Sequence, residues 1–71
     1  MDKQINIAYS LTDINWQLAF VSIQSVIENN KNNKLNFFII YNSNITTEIL
    51  NLFKKFNNYP NVAYIEFIYF N

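Results

Sequence analysis

The sequence predicts an α/β fold in the order β-α-β-α-β, half of a Rossmann-like, doubly wound parallel sheet. Three apolar runs show little polar–apolar alternation, which is typical of parallel strands. Two amphipathic segments separate these runs and are long enough to be crossover helices. Because such crossovers are right-handed, the expected spatial order of the strands is 3-2-1. The 71 residues hold one domain at most.

Each element follows from the local pattern. Strands are predicted over residues 4–10, 35–41 and 62–69, and helices over residues 16–28 and from Thr46, as N-cap, to a turn at 57–61. Apolar residues at helical spacing form one stripe on each helix: Trp16, Ala19, Phe20, Ile23, Val26 and Ile27 on the first, and Ile45, Ile49, Leu52, Phe53 and Phe56 on the second. Asn29 and Asn30 are the C-cap candidates of helix one. The chain has no glycine, so we expect asparagine to supply left-handed backbone at such caps.

The three strands are expected to differ in how far they are buried. The unbroken apolar run at residues 37–40 predicts that helices cover both faces of strand two. Strand one is expected at an edge of the sheet, although its apolar pattern suits the interior. Glu66 lies in the middle of strand three. It is either a solvent-facing acid on an edge strand, which we favour, or a buried acid with a partner.

The composition excludes several classes of function. Without Cys or His, the chain has no disulfide, no thiolate or imidazole metal site and no Ser-His catalysis. The net charge of zero gives no electrostatic attraction for nucleic acid. No apolar run approaches the ~20 residues of a transmembrane segment, and no signal peptide is evident, so a cytoplasmic location is expected. Because 51% of the residues are hydrophobic and 14% charged, part of the apolar surface is expected to pack against something outside the chain.

The loop after strand one is the candidate binding site, since ligands of parallel sheets bind beyond the carboxyl ends of the strands. It contains hydroxyls, a carboxylate, an amide and a large aromatic ring: Ser10, Thr12, Asp13, Asn15 and Trp16. A carboxylate can accept the imide N–H of a pyrimidine, an amide can bond ribose or base, and an aromatic ring can stack on the base. The alternative is that Asp13 and Asn15 cap helix one while Trp16 packs in the core. Catalytic carboxylate pairs are missing, because no two acids lie one or two residues apart.

Several of these segments together resemble the N-terminal part of family 8 glycosyltransferases, the retaining GT-A enzymes that include bacterial lipopolysaccharide galactosyl- and glucosyltransferases and glycogenin. The family's first helix reads roughly V-S-I-x-S-hydrophobic-hydrophobic-E-N-N, and residues 21–30 read VSIQSVIENN. The end of strand one, at residues 7–10, and strand two, at residues 37–41, also resemble the corresponding strands of the family. The start of helix two, at residues 45–48, resembles the start of the family's second helix. Without gaps, residues 12–15 fall on the family's acidic loop, roughly Asp-Asp-Asn-Tyr, and only one position matches. After a shift of one residue, which we prefer on chemical grounds, Asp13 and Asn15 match and Trp16 replaces the Tyr.

The resemblance implies a nucleotide-binding role. Asp13 and Asn15 would hold uracil and ribose, Trp16 would stack on the base, and the whole enzyme would transfer a hexose from a UDP-sugar to a glycan or lipopolysaccharide acceptor. The family's Asp-x-Asp motif, which holds Mn²⁺ and the diphosphate, lies downstream of strand three, and this sequence stops before it. We therefore expect residues 1–71 to be a truncated nucleotide-binding segment with no catalytic or metal-binding residue, inactive alone.

A different class of function also fits. The chain could be a small α/β interaction module that self-associates, or pairs with another chain, through an exposed strand edge. A phospho-receiver domain is a weaker alternative, because only one acid follows strand one and no Asp follows strand three.

Overall fold

The computed structural model describes residues 3–71 and has the predicted element order. Three strands, β1 (Gln4–Ser10), β2 (Lys34–Tyr41) and β3 (Val62–Tyr69), alternate with two helices, α1 (Trp16–Glu28) and α2 (Thr47–Lys54). A short 3-10 helix, Lys55–Asn58, continues from α2 toward β3. The predicted bounds are confirmed closely because the apolar spacing that marks each element is a local property of the chain.

The three strands form one parallel sheet with β2 in the centre. In the register of β1 and β2, Gln4 lies opposite Lys34 and Ser10 lies opposite Ile40. The pairing of β2 with β3 contains one irregularity, between Leu35 and Asn36. This order is the predicted 3-2-1 arrangement, and it places β1 at an edge as expected.

Both helices pack on the same face of the sheet. Alternate residues of β2, including Phe37 and Ile39, are completely buried in one core with side chains from both helices. The Phe20 ring of α1 also meets two rings from the second helical segment, since its centroid lies 5.3 Å from that of Phe53 in α2 and 4.8 Å from that of Phe56 in the 3-10 helix. The buried apolar residues are Leu11, Ala19, Ile23, Ile27, Leu35, Phe37, Ile39, Ile45, Phe53, Phe56 and Val62. Leu52 was expected in this core but is 37% exposed.

The other face of the sheet carries no helix from residues 3–71. We call it the open sheet face; it comprises Asn6, Ala8, Ser10, Asn36, Phe38, Ile40, Tyr64, Glu66 and Ile68. The expectation that helices cover both faces of β2 is therefore wrong within the described chain, and Phe38 and Ile40 are only half-buried. The reason is that two successive right-handed crossovers advancing in one direction place both helices on one side. Glu66 is exposed there on an edge strand, which confirms the favoured interpretation.

The helix ends show how asparagine replaces glycine in this chain. The predicted N-cap of α2 is confirmed, because Thr46 Oγ1 accepts the Ile49 N–H at 3.3 Å. Asn29 is the C-cap of α1, but no residue from 3 to 71 has a positive φ, so the expected left-handed asparagines are wrong. Instead, Asn29 and Asn30 donate their side-chain amides to carbonyl oxygens of the last turn, at 2.9 and 2.8 Å. Their amide groups therefore satisfy the helix end without a change in backbone conformation.

Candidate functional site

The candidate site lies at the carboxyl ends of the strands, where the chain leaves β1 for α1. The start of this loop is held in place, because the Leu11 N–H donates to the Ile40 carbonyl oxygen at 2.8 Å and the Leu11 side chain is only 2% exposed. The following residues therefore extend from a fixed point beside β2. This is the position at which parallel sheets present side chains and helix N-termini to ligands.

Thr12 and Asn15 form two reciprocal hydrogen bonds in the turn before α1. The Asn15 N–H donates to Thr12 Oγ1 at 3.1 Å, and the Thr12 N–H donates to Asn15 Oδ1 at 2.9 Å. The Trp16 N–H donates to the Thr12 carbonyl oxygen at 3.1 Å, which ties the first residue of α1 to this turn. Asn15 is the N-cap residue of α1, as one of the two predicted candidates, but its side chain caps no helix N–H and instead accepts from the Thr12 N–H.

Asp13 takes no part in the side-chain hydrogen bonds that hold this turn. Its side chain is exposed, and within residues 3–71 its carboxylate makes no hydrogen bond and no ion pair. Because the side-chain hydrogen bonds that hold this turn join Thr12 and Asn15, removal of the Asp13 carboxylate should leave the start of α1 intact. A free carboxylate at the carboxyl end of a parallel strand can accept hydrogen bonds from a ligand.

Asn15 and Trp16 both make contacts within the fold, and these contacts limit what each side chain can offer a ligand. Asn15 Oδ1 is occupied by the Thr12 N–H, whereas its Nδ2 has no partner among the described residues and can still donate. Trp16 is half-buried and meets the Phe53 ring in an edge-on arrangement with 6.5 Å between centroids. Trp16 therefore packs on the core, as the alternative interpretation held, and only its exposed part is open to a ligand.

The predicted residues do not all converge on one point. Thr12, Asp13 and Asn15 lie together in the turn before α1. Ser10 is exposed but belongs to the open sheet face, in the row with Ile40, whereas Trp16 packs against the helical core on the other face. The sheet separates these two side chains, because Ser10 follows the strand alternation and Trp16 the helical phase.

The sequence interpretation missed a second polar loop at the same edge of the sheet. It follows β2, where Asn42 Oδ1 accepts the Asn44 N–H at 3.0 Å and holds a tight turn. Beside it the Tyr41 and Tyr69 rings meet edge-on, 5.4 Å apart, at the ends of β2 and β3. The sequence could have indicated this loop by its position, because Tyr41 and Asn42 are the residues at which the central strand ends.

The described residues do not fit a Mn²⁺ site. Residues 3–71 contain no group of three or more carboxylate, imidazole or thiolate side chains that could hold a metal ion. Two concave regions lie away from the candidate site. One, of about 260 Å³, is lined by Lys31, Lys34 and Tyr59 among others at the opposite end of the sheet. The other, of about 500 Å³, lies between the helices beside Phe20 and Phe56. Among residues 3–71, neither helix has the length and apolarity to cross a bilayer.

Comparisons of the chain with protein-family models, with curated proteins and with solved structures found no match.

Proposed function

We propose that this chain is the N-terminal nucleotide-binding segment of a family 8 glycosyltransferase and that the loop after β1 binds the uridine part of a UDP-sugar. The whole enzyme would transfer a hexose to a glycan or lipopolysaccharide acceptor. The observation that carries the proposal is the exposed carboxylate of Asp13, which has no partner among residues 3–71 and lies beyond the carboxyl end of a parallel strand. The parallel β-α-β-α-β fold and the resemblance of residues 21–30 support it.

The chemistry restricts the proposal to the nucleoside. The Asp13 carboxylate would accept the N3–H of uracil, and the free Nδ2 of Asn15 would donate to a uracil carbonyl or a ribose hydroxyl. Trp16 would offer its exposed part to the base while its buried part remains on Phe53. The diphosphate would require a metal site, which residues 3–71 do not supply.

The experiment compares uridine with cytidine, because N3 of uracil carries a hydrogen and N3 of cytosine does not. The 71-residue chain, labelled with ¹⁵N, is titrated with each nucleoside and followed by two-dimensional NMR. We expect uridine to shift the amide signals of the Thr12–Asn15 turn and to bind about tenfold more tightly than cytidine, since a lost hydrogen bond costs about 1–3 kcal/mol.

The decisive variant is Asp13→Ala. It removes the group that would accept the uracil N3–H and leaves the hydrogen bonds between Thr12 and Asn15 in place, so the preference for uridine should disappear. Glu48→Ala is the matched control, because Glu48 is also an exposed acid near a helix N-terminus. If the parent does not distinguish the two nucleosides, or if Asp13→Ala keeps the preference for uridine, the assignment of Asp13 is wrong.

A second candidate function is pairing through the edge of β1, and one observation favours it. β1 has seven residues, pairs with β2 on one side only, and contains no proline, no lysine and no irregularity in its register. Edges of this kind are templates for another strand. Pairing between copies would increase the protection of β1 amides from hydrogen exchange as protein concentration rises. Protection of β1 that is independent of concentration would contradict self-pairing at this edge.

A further inference from the structure

The outer side of α1 carries an exposed apolar row. Ile14, in the turn before the helix, is 87% exposed, and Leu18 and Val21 are 75% and 61% exposed. Leu18 and Val21, three residues apart, lie on one side of the helix, and Ile14 precedes Leu18 by four residues in the turn. That side is opposite the buried stripe of Ala19, Ile23 and Ile27. We call Ile14, Leu18, Val21 and Ser25 the outer row.

The outer side of this helix is also uncharged. No charged residue occurs between Asp13 and Glu28, so the polar positions around the outer row are filled by Gln and Ser alone. The outward side of a surface helix normally carries charged side chains that keep it in water. By contrast, α2 has Glu48 in its first turn and Lys54 in its last. The pattern on α1 is that of a helix with protein on both sides.

We propose that the outer row is the interface of a symmetric dimer, in which α1 of one copy packs antiparallel against α1 of a second copy. In a two-fold interface every residue meets the same surface from the partner, so a charged surface repels itself while an uncharged apolar one does not. A two-fold axis near Leu18 brings Ile14 of one copy opposite Val21 of the other. The open sheet face is a poorer choice, because a two-fold contact there would bury two copies of the Glu66 carboxylate.

The size of this surface sets the expected strength of the dimer. The 13 residues of α1 span about 20 Å, so one helix per copy buries less than the ~1,200–2,000 Å² of a stable interface. We therefore expect a weak dimer, populated at several hundred micromolar and dissociated at low micromolar concentration. The proposal does not depend on the nucleotide-binding function, and either can fail alone.

The test measures the dimer dissociation constant of the 71-residue chain by sedimentation equilibrium up to millimolar concentration. Leu18→Lys and Leu18→Glu should each raise it at least tenfold, because like charges then meet at the axis. An equimolar mixture of the two variants should restore association, since opposite charges then face each other. Leu18 is 75% exposed, so neither variant should unfold the chain, and circular dichroism checks this.

Ile68→Lys on the open sheet face is the matched control and should leave the dissociation constant unchanged. A parent chain that stays monomeric at millimolar concentration would overturn the proposal. So would a mixture of the Leu18 variants that stays monomeric, because the two outer rows would then not meet. Loss of the dimer in Ile68→Lys but not in Leu18→Lys would assign the interface to the open sheet face instead.

Discussion

Replacing Trp16 by alanine should destabilise the fold by about 2 kcal/mol. Truncation of a completely buried large aromatic ring to alanine costs about 3–5 kcal/mol, and Trp16 is only partly buried, so the expected loss lies below that range. Part of the loss is the edge-on contact with Phe53, because aromatic pairs contribute about 0.5–1.5 kcal/mol beyond their burial. The variant separates a packing role from a role in stacking alone.

The magnitude matters because so small a domain has little stability to lose. A core of this size rarely supplies more than roughly 3–5 kcal/mol, so the Trp16→Ala chain should remain folded by only a small margin. The assay is urea unfolding followed by far-ultraviolet circular dichroism, since the substitution removes the only tryptophan fluorophore. With a denaturant slope of about 1 kcal/mol per molar, the midpoint should fall by about 2 M.

Two companion variants make this measurement interpretable. Trp16→Phe retains a ring against Phe53 and should lose about 1 kcal/mol or less. Leu18→Ala, on the exposed side of the same helix, should change the free energy of unfolding by less than about 0.5 kcal/mol. If Trp16→Ala is no more destabilised than Leu18→Ala, the packing of Trp16 on Phe53 contributes nothing and the ring is free for a ligand.

Two further predictions concern hydrogen bonds that the structure assigns. Thr12→Ala should lower the free energy of unfolding by about 1 kcal/mol, because the Thr12 hydroxyl accepts the Asn15 N–H, whereas Asp13→Ala should change it by less than about 0.5 kcal/mol. Equal losses in chemical unfolding would contradict this role of Thr12. Asn61→Ala should cost about 1–3 kcal/mol, because the buried Asn61 amide donates to the carbonyl oxygens of Ile27 and Asn30 at 3.0 and 3.1 Å. Asn58→Ala, an exposed asparagine in the 3-10 helix, is its control, and a similar effect in both would refute that role.

The sequence alone determined the elements and their order. Apolar spacing marks a strand or a helix through neighbours a few residues apart, so the bounds of β1, α1 and β3 were predicted as the structure has them. The strand order followed as well, because a crossover of this length has one favoured hand. The cap at Thr46 was predictable for the same reason, since its bond to Ile49 spans only three residues.

Only the tertiary structure decided how those elements use their side chains. The apolar run of β2 suggested helices on both faces, although the predicted strand order and right-handed crossovers together place both helices on one face, where the structure has them. The sequence left open whether Trp16 stacks on a ligand or packs in the core, and the structure places its ring against Phe53 of the other helix. At the loop, Asp13 and Asn15 were both plausible caps, and the folded backbone has Asn15 at the N-cap, bonded to Thr12, with Asp13 exposed. A sequence pattern records which side chains are available, but burial and hydrogen bonding depend on distances that exist only once separate elements have packed together.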